Sequence, residues 1–344
     1  MATLTEDLDK FPVATRSSIA EQIPVIDIDC LVENNSSNQV DREVMSSIAA
    51  ACENWGFFQV INHGISEQLL DKTFQQSQAF FASAQDDKDR LLRSYENPWG
   101  YYNNELTKNQ RDKKEVFDFT AKGVDPIYQS QNRWPSHIPD FQQIMMSYFD
   151  ACTDLSLLLL EAFCLGLGLQ PRHLHDHVVG NHTGFTRLNY YPVKDPMTNS
   201  GLPHQPLADL GVHHHTDAGV LTLLAQDQVG GLQVFKNELW HPVSSIPGAI
   251  VVNTGDMMQV WSNDQYQAAM HRVVAMERID RYSIPFFFNP SADSVVQPLP
   301  ISQVESSPIR YRPINWNQYR GGRTAGDYAD YGTEVQISHF RVES

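Results

Sequence analysis

From about Thr183 the chain breaks into short β-type runs rich in branched and aromatic residues, separated by Gly and Pro. They cover residues 185–191, 211–217, 220–225, 232–235, 249–253, 271–276 and 283–288. They fit a jelly-roll barrel. The half before Thr183 carries helical periodicity, so the expected class is α+β, a double-stranded β-helix backed by helices. With 344 residues, 41% of them hydrophobic, the chain can bury a large core.

The first half supplies the backing. Residues 1–20 lack hydrophobic periodicity and read as a loose tail. Residues 23–28 read as a short strand, 39–52 as an amphipathic helix and 55–61 as a second strand closed by Asn62-His63-Gly64. Ser66 suits the cap of a helix running to about Ala82. Residues 84–135 are polar, with Asn97-Pro98 and Trp134-Pro135 as breakers, and read as a long connection covering a site. Apolar residues at helical spacing (Phe141, Ile144, Met145, Tyr148, Phe149, Cys152) predict the main backing helix over 140–165. The expected division is a tail 1–20, an N-terminal region 21–135, a jelly-roll core with its backing helix 136–300 and a C-terminal extension 301–344.

A net charge of −16 with no Lys/Arg run argues against nucleic acid or an anionic membrane as partner. Cys30, Cys52, Cys152 and Cys164 lack CxxC spacing and read as reduced, buried thiols. The start is polar, without an apolar signal core, and the apolar stretch 155–169 sits in a charged segment. The expectation is a soluble, cytoplasmic monomer.

The chemistry concentrates in GVHHHTDAGVLTLL and AAMHRVV. His215 and Asp217 alternate on one strand face, and His271 opens a distant β run. Two imidazoles and one carboxylate on one side of a metal leave three positions open, the arrangement that suits non-haem Fe(II). His-x-Asp alone recurs by chance, and histidines in a polar turn are the competing reading. His213 has the parity to line the pocket beyond the metal, or else is merely packed. His214 has the wrong parity, and His63 sits in the Asn62-His63-Gly64 turn and is not counted as a ligand.

Flanking motifs raise the specificity. Arg281-Tyr-Ser283 follows His271 by ten residues, and Asn189-Tyr190-Tyr191-Pro192 lies upstream. With WGFFQVINHGI, LTLLAQDQVGGLQVF, NTGDMMQVWSN, RYSIPFFFNP and GDYADYG, they make residues 23–344 resemble the 2-oxoglutarate-dependent Fe(II) dioxygenases of the isopenicillin N synthase-like group. The resemblance implies a cupin-like jelly roll with Fe(II) on His215, Asp217 and His271. It implies 2-oxoglutarate and O2 as co-substrates and ascorbate as a reductant. Arg281 and Ser283 would take the distal carboxylate, which an Arg fork binds bidentately. Asn189 and Tyr191 would help hold the co-substrate. Ala268 stands where many relatives carry Ser, a local departure.

The implied reaction oxidises an unactivated C–H bond of a small molecule by hydroxylation, desaturation or ring closure, with succinate and CO2 formed. Inward parity adds Arg187, Phe287 and Asn289 to the substrate pocket, and Tyr101 and Tyr102 of the covering stretch to its outer wall. Arg187 either binds a substrate carboxylate, favouring an amino-acid-like or other acidic substrate, or closes a salt bridge inside the barrel. Two rivals stand beside this reading. One is an Fe(II) oxidase of the same group that does not use 2-oxoglutarate; the other is a metal-bound small-molecule binding protein without turnover.

Overall fold

The computed structural model describes residues 8–14, 22–33, 38–107, 110–123, 125–195, 210–301, 308–326 and 335–342. Its frame is two facing sheets. The larger has eight strands in the order Val25–Asp27, Phe57–Ile61, Ile250–Thr254, Leu221–Gln226, Arg281–Phe288, Phe185–Tyr191, Glu115–Thr120 and Gly100–Tyr102. The smaller has Leu239–Pro242, Leu232–Lys236, His271–Val274 and Leu210–His215.

Strand alternation divides the large sheet into two environments. Ile284, Phe286 and Phe288, with Leu221, Leu223 and Ala225, face outward into one hydrophobic cluster. They meet Met145, Phe149, Leu159 and Phe163 of the helix Phe141–Gly166, whose apolar residues occupy most of its circumference. The Tyr148 hydroxyl, which an apolar setting could not leave unpaired, donates to the Ile284 carbonyl at 3.0 Å. The opposite face carries Phe57, Leu224, Tyr191 and Val251, packed against Val212, Leu232, Val234 and Val273 of the small sheet. The site lies between the sheets.

Helices Asn38–Asn54 and Glu67–Phe81 complete the backing layer. Ser66 caps the second, its side chain accepting from the Leu69 N–H at 3.2 Å. Among the described residues no helix is long and apolar enough to cross a membrane. Cys52, Cys152 and Cys164 are buried free thiols, and Cys30 is half-buried.

The stretch 84–135 departs from the sequence expectation. It is no covering connection: Gly100–Tyr102 and Glu115–Thr120 extend the large sheet, pairing Tyr101 with Phe117 and Glu115 with Tyr190. Arg93, Glu105, Lys114 and Asp118 of this stretch are paired in the interior. Glu105 accepts from Arg93 and Lys114 at 2.6 Å and Arg187 at 2.8 Å, while Asp118 takes Arg93 and Arg187. Polar composition there marks a buried ion network.

Candidate functional site

The small sheet brings the two distant histidines together. His215 ends one strand and pairs directly with His271, which begins another, and their rings lie 4.3 Å apart. Asp217 falls just past the strand end. Its carbonyl is held by the Asp256 N–H at 2.7 Å. Gly255 permits this approach, because a Cβ there would sit 2.3 Å from the Gly219 carbonyl oxygen. The turn, rather than simple alternation, therefore sets the His-x-Asp geometry. Donor atoms of the three residues lie within 4.8 Å of one another, and each imidazole Nε2 is 3.7 Å from Asp217 Oδ1.

Surrounding groups fix each donor. The His215 Nδ1–H donates to the His213 carbonyl at 2.7 Å and the His271 Nδ1–H to the Ala269 carbonyl at 3.0 Å. A carbonyl can only accept, so both Nε2 lone pairs are left facing Asp217. Asp217 Oδ2 accepts from Thr222 Oγ1 at 2.6 Å and Asn253 Nδ2 at 2.8 Å, leaving Oδ1 toward the imidazoles. Burial, then the neighbouring His271, pushes the His215 pKa down to about 3, although 26% of its side chain stays exposed. Burial alone would raise the Asp217 carboxyl, but His271 and His215, with the two hydrogen bonds, outweigh it and lower it. A neutral His215 and an ionised Asp217 are the forms that bind a divalent cation. Two nitrogens and one carboxylate oxygen converging from one side fit Fe(II) with open positions.

The same cavity, about 80 Å³, contains Arg281. This side chain is fully buried. One arm donates to Ser283 Oγ at 3.2 Å, another to Gln226 Oε1 at 3.3 Å, and Nε has no partner. The guanidinium lies 4.9 Å from the centre of the Tyr191 ring. No carboxylate among the described residues is within ion-pairing distance. The neighbouring Asp280 points away, accepting from Tyr190 Oη at 2.7 Å and the Val193 N–H at 2.8 Å. Across the ladder Arg281 pairs with Tyr191 and Ser283 with Asn189, whose Nδ2 donates to Ser283 Oγ at 3.4 Å and whose Oδ1 is sealed without a partner. A buried cation and unsatisfied polar atoms together are costly without a ligand. They fit a carboxylate.

Phe287 also lines this cavity, with Phe57, Val212, Leu224 and Pro285. Other expected pocket residues are placed differently. Arg187 reaches the cavity wall, but Asp118 holds it through Nε at 2.7 Å and Glu105 through a second arm at 2.8 Å, the internal salt-bridge alternative. His213 leaves the pocket because the strand bulges. Val212 and His215 pair with Val273 and His271, three steps along one strand against two along the other. The extra residue reverses the parity, and His213 Nδ1 faces Asp112 at 3.4 Å. Asn289 lies past the strand end, its amide donating to the Thr183 carbonyl at 3.1 Å. Tyr101 is a core residue bonded to Glu115 at 2.6 Å, and Tyr102 lies under the Arg93 guanidinium at 4.9 Å; neither lines this cavity. His63 is structural, donating to Gly248 and accepting from the Ile65 N–H.

Sequence reasoning missed Thr222 and Asn253, which orient Asp217, and Lys114 and Gln226. Thr222 and Asn253 carried a usable signal: each is an inward polar residue in a mostly apolar strand.

A jelly roll holding two histidines, a carboxylate and a buried arginine in one cavity defines a non-haem iron oxygenase. Residues 182–290 match the 2OG-Fe(II) oxygenase superfamily, and residues 23–140 match the N-terminal region described as non-haem dioxygenase in morphine synthesis. Protein DMR6-LIKE OXYGENASE 2 of Arabidopsis thaliana is 32% identical, covering 90% of this chain and 86% of its own. Jasmonate-induced oxygenase 2 of the same plant is 33% identical over 98% and 86%, and 1-aminocyclopropane-1-carboxylate oxidase 5 is 34% identical over 86% and 92%. The crystal structure of JOX2 with 2OG, Fe and JA superposes with a TM-score of 0.73 at 30% identity, covering 91% of this chain and 88% of that one. A full-length Neurospora crassa protein crystallised with alpha-KG gives 0.77 at 27% identity over 89% and 96%. The chain belongs to the 2OG-Fe(II) oxygenase superfamily. It is an oxidoreductase that uses Fe(II), 2-oxoglutarate and O2 to oxidise small molecules.

Proposed function

We propose that His215, Asp217 and His271 hold the Fe(II), that Arg281, Ser283 and Asn189 hold 2-oxoglutarate, and that the substrate is a carboxylated small molecule. The observation carrying the first two assignments is the buried Arg281, with no carboxylate side chain among the described residues at ion-pairing distance, sharing one cavity with the His-Asp-His cluster. When bound, Fe(II) with 2-oxoglutarate and O2 supplies the oxidant for an unactivated C–H bond, with succinate and CO2 formed.

The chain's own residues do the positioning. His215 and His271 present fixed Nε2 lone pairs, and Thr222 and Asn253 keep Asp217 Oδ1 turned toward them. The Arg281 fork takes the distal carboxylate, the Ser283 hydroxyl adds a donor, and Tyr191 supports the guanidinium from below. Phe57, Val212, Leu224, Pro285 and Phe287 keep the reacting volume apolar, which limits water at the oxidant. A carboxylated substrate is supported by the relative named for 1-aminocyclopropane-1-carboxylate. Arg187, neutralised by Asp118 and Glu105, is not its anchor.

The test is stoichiometry. Wild-type protein releases one succinate per 2-oxoglutarate consumed, with O2 required, and Asp217→Ala abolishes this together with iron retention. Normal turnover by purified Asp217→Ala protein would overturn the metal assignment.

A further inference from the structure

A second buried arginine repeats the signature of Arg281 outside the metal cavity. Arg320 stands on the helix Trp316–Gly326 and is 6% exposed. One of its five N–H donors reaches the Thr183 carbonyl at 2.9 Å. Its guanidinium lies 5.7 Å from the ring centre of Trp99, 5.5 Å from that of Tyr128 and 5.6 Å from that of Phe185. Among the described residues no carboxylate lies within ion-pairing distance. The acidic groups that act on it through space lie beyond that distance: Asp118 is held by Arg93 and Arg187, and Asp125 accepts at Oδ1 from the N–H groups of Ile127 and Tyr128 while its buried Oδ2 has no partner.

This box adjoins the site already described. Phe185 stacks on Phe287 with centres 4.6 Å apart, and Phe287 forms part of the metal cavity wall. An interior guanidinium with no carboxylate at ion-pairing distance is costly to fold around, and three aromatic rings with two more distant carboxylates offset only part of that cost. An anion delivered by a ligand would complete it. One arginine with planar walls suits a singly charged, planar, bidentate carboxylate; a phosphate dianion calls for more donors than this box offers.

We infer that Arg320 is the specificity-determining anchor for the substrate's carboxylate, gripping a molecule whose apolar body extends past Phe185 and Phe287 toward the metal. The inference deepens the proposed carboxylated substrate and moves its anchor from Arg187 to Arg320. It requires nothing of the iron, so it is tested on metal-free protein.

The probes are trans-cinnamate, 2-naphthoate and cyclohexylacetate, each beside its methyl ester, titrated by ligand-observed NMR. Wild type binds at least one acid saturably and at least tenfold more tightly than its ester. Arg320→Met removes that preference and Arg320→Lys retains part of it, where one tenfold step is about 1.4 kcal/mol. Thermal unfolding of each variant verifies folding. Equal binding of acid and ester, unchanged binding in Arg320→Met, or no saturable acid would each overturn the inference. Because no metal is present, failure here leaves the iron and 2-oxoglutarate assignments standing, and their failure leaves this result standing.

Discussion

Replacing Arg281 by Met should move ligand affinity and protein stability in opposite directions. Truncating one member of a buried, hydrogen-bonded charge pair costs about 2–5 kcal/mol, or roughly 30- to 3,000-fold in affinity for the 2-oxoglutarate carboxylate. The upper half of that range applies, because the side chain is fully buried and Asn189 would keep its unsatisfied Oδ1. In the ligand-free protein the same side chain is a cation whose partners among the described residues are a hydroxyl, an amide oxygen and a ring face. Met fills much of the same volume without the desolvated charge, so folding should gain about 1 kcal/mol and the unfolding midpoint rise by about 2 °C. Arg281→Lys keeps charge but loses the fork and should fall between. The assay is the KM for 2-oxoglutarate from succinate release, with calorimetric unfolding of the free protein. A KM within threefold of wild type, or a lower midpoint in Arg281→Met, would show that Arg281 is not a ligand-completed cation.

Three further outcomes follow from named contacts. Thr222→Val removes the 2.6 Å donor to Asp217 Oδ2 and should weaken Fe(II) binding about 10- to 100-fold in an anaerobic chelator competition, with the fold retained. Glu105→Gln strips the shared partner of Arg93, Lys114 and Arg187 and should cost about 3–5 kcal/mol in urea unfolding. His182 is packed against Phe149 and Phe288 and accepts the Gly184 N–H at Nδ1; burial pushes its pKa down to about 4. The unfolded chain protonates first, near pH 6.5, so His182 makes stability decline as pH falls from there and level off below about 4. His182→Gln should flatten that part of the stability profile; an unchanged slope would contradict the assignment.

Much of this was legible in the residues because strand periodicity carries position. Arg281, Ser283, Pro285 and Phe287 alternate with outward Ile284, Phe286 and Phe288, and the structure keeps that order. Where the ladder is irregular, parity misleads. The register shift between Val212 and His215 turns Val212 inward and sends His213 to Asp112, and the end of a strand before Asn289 takes that residue out of the alternation. The strand Glu115–Thr120 and the core position of Tyr101 were hidden for another reason. Charges at 93, 105, 114 and 118 look solvated in sequence, and only their three-dimensional pairing reveals them as interior. Arg187 shows the same ambiguity from the other side. Its inward parity was readable, but its two carboxylate partners come from a stretch read as a loop.

The decisive measurement is an anaerobic titration of Fe(II)-loaded protein with 2-oxoglutarate, following the metal-to-ligand charge-transfer band of a chelated keto acid. Wild type should give a saturable band, absent in Asp217→Ala and shifted to much higher 2-oxoglutarate in Arg281→Met. A protein that demonstrably holds iron yet gives no band, or gives it unchanged in both variants, would contradict the assignment of the shared iron and 2-oxoglutarate cavity.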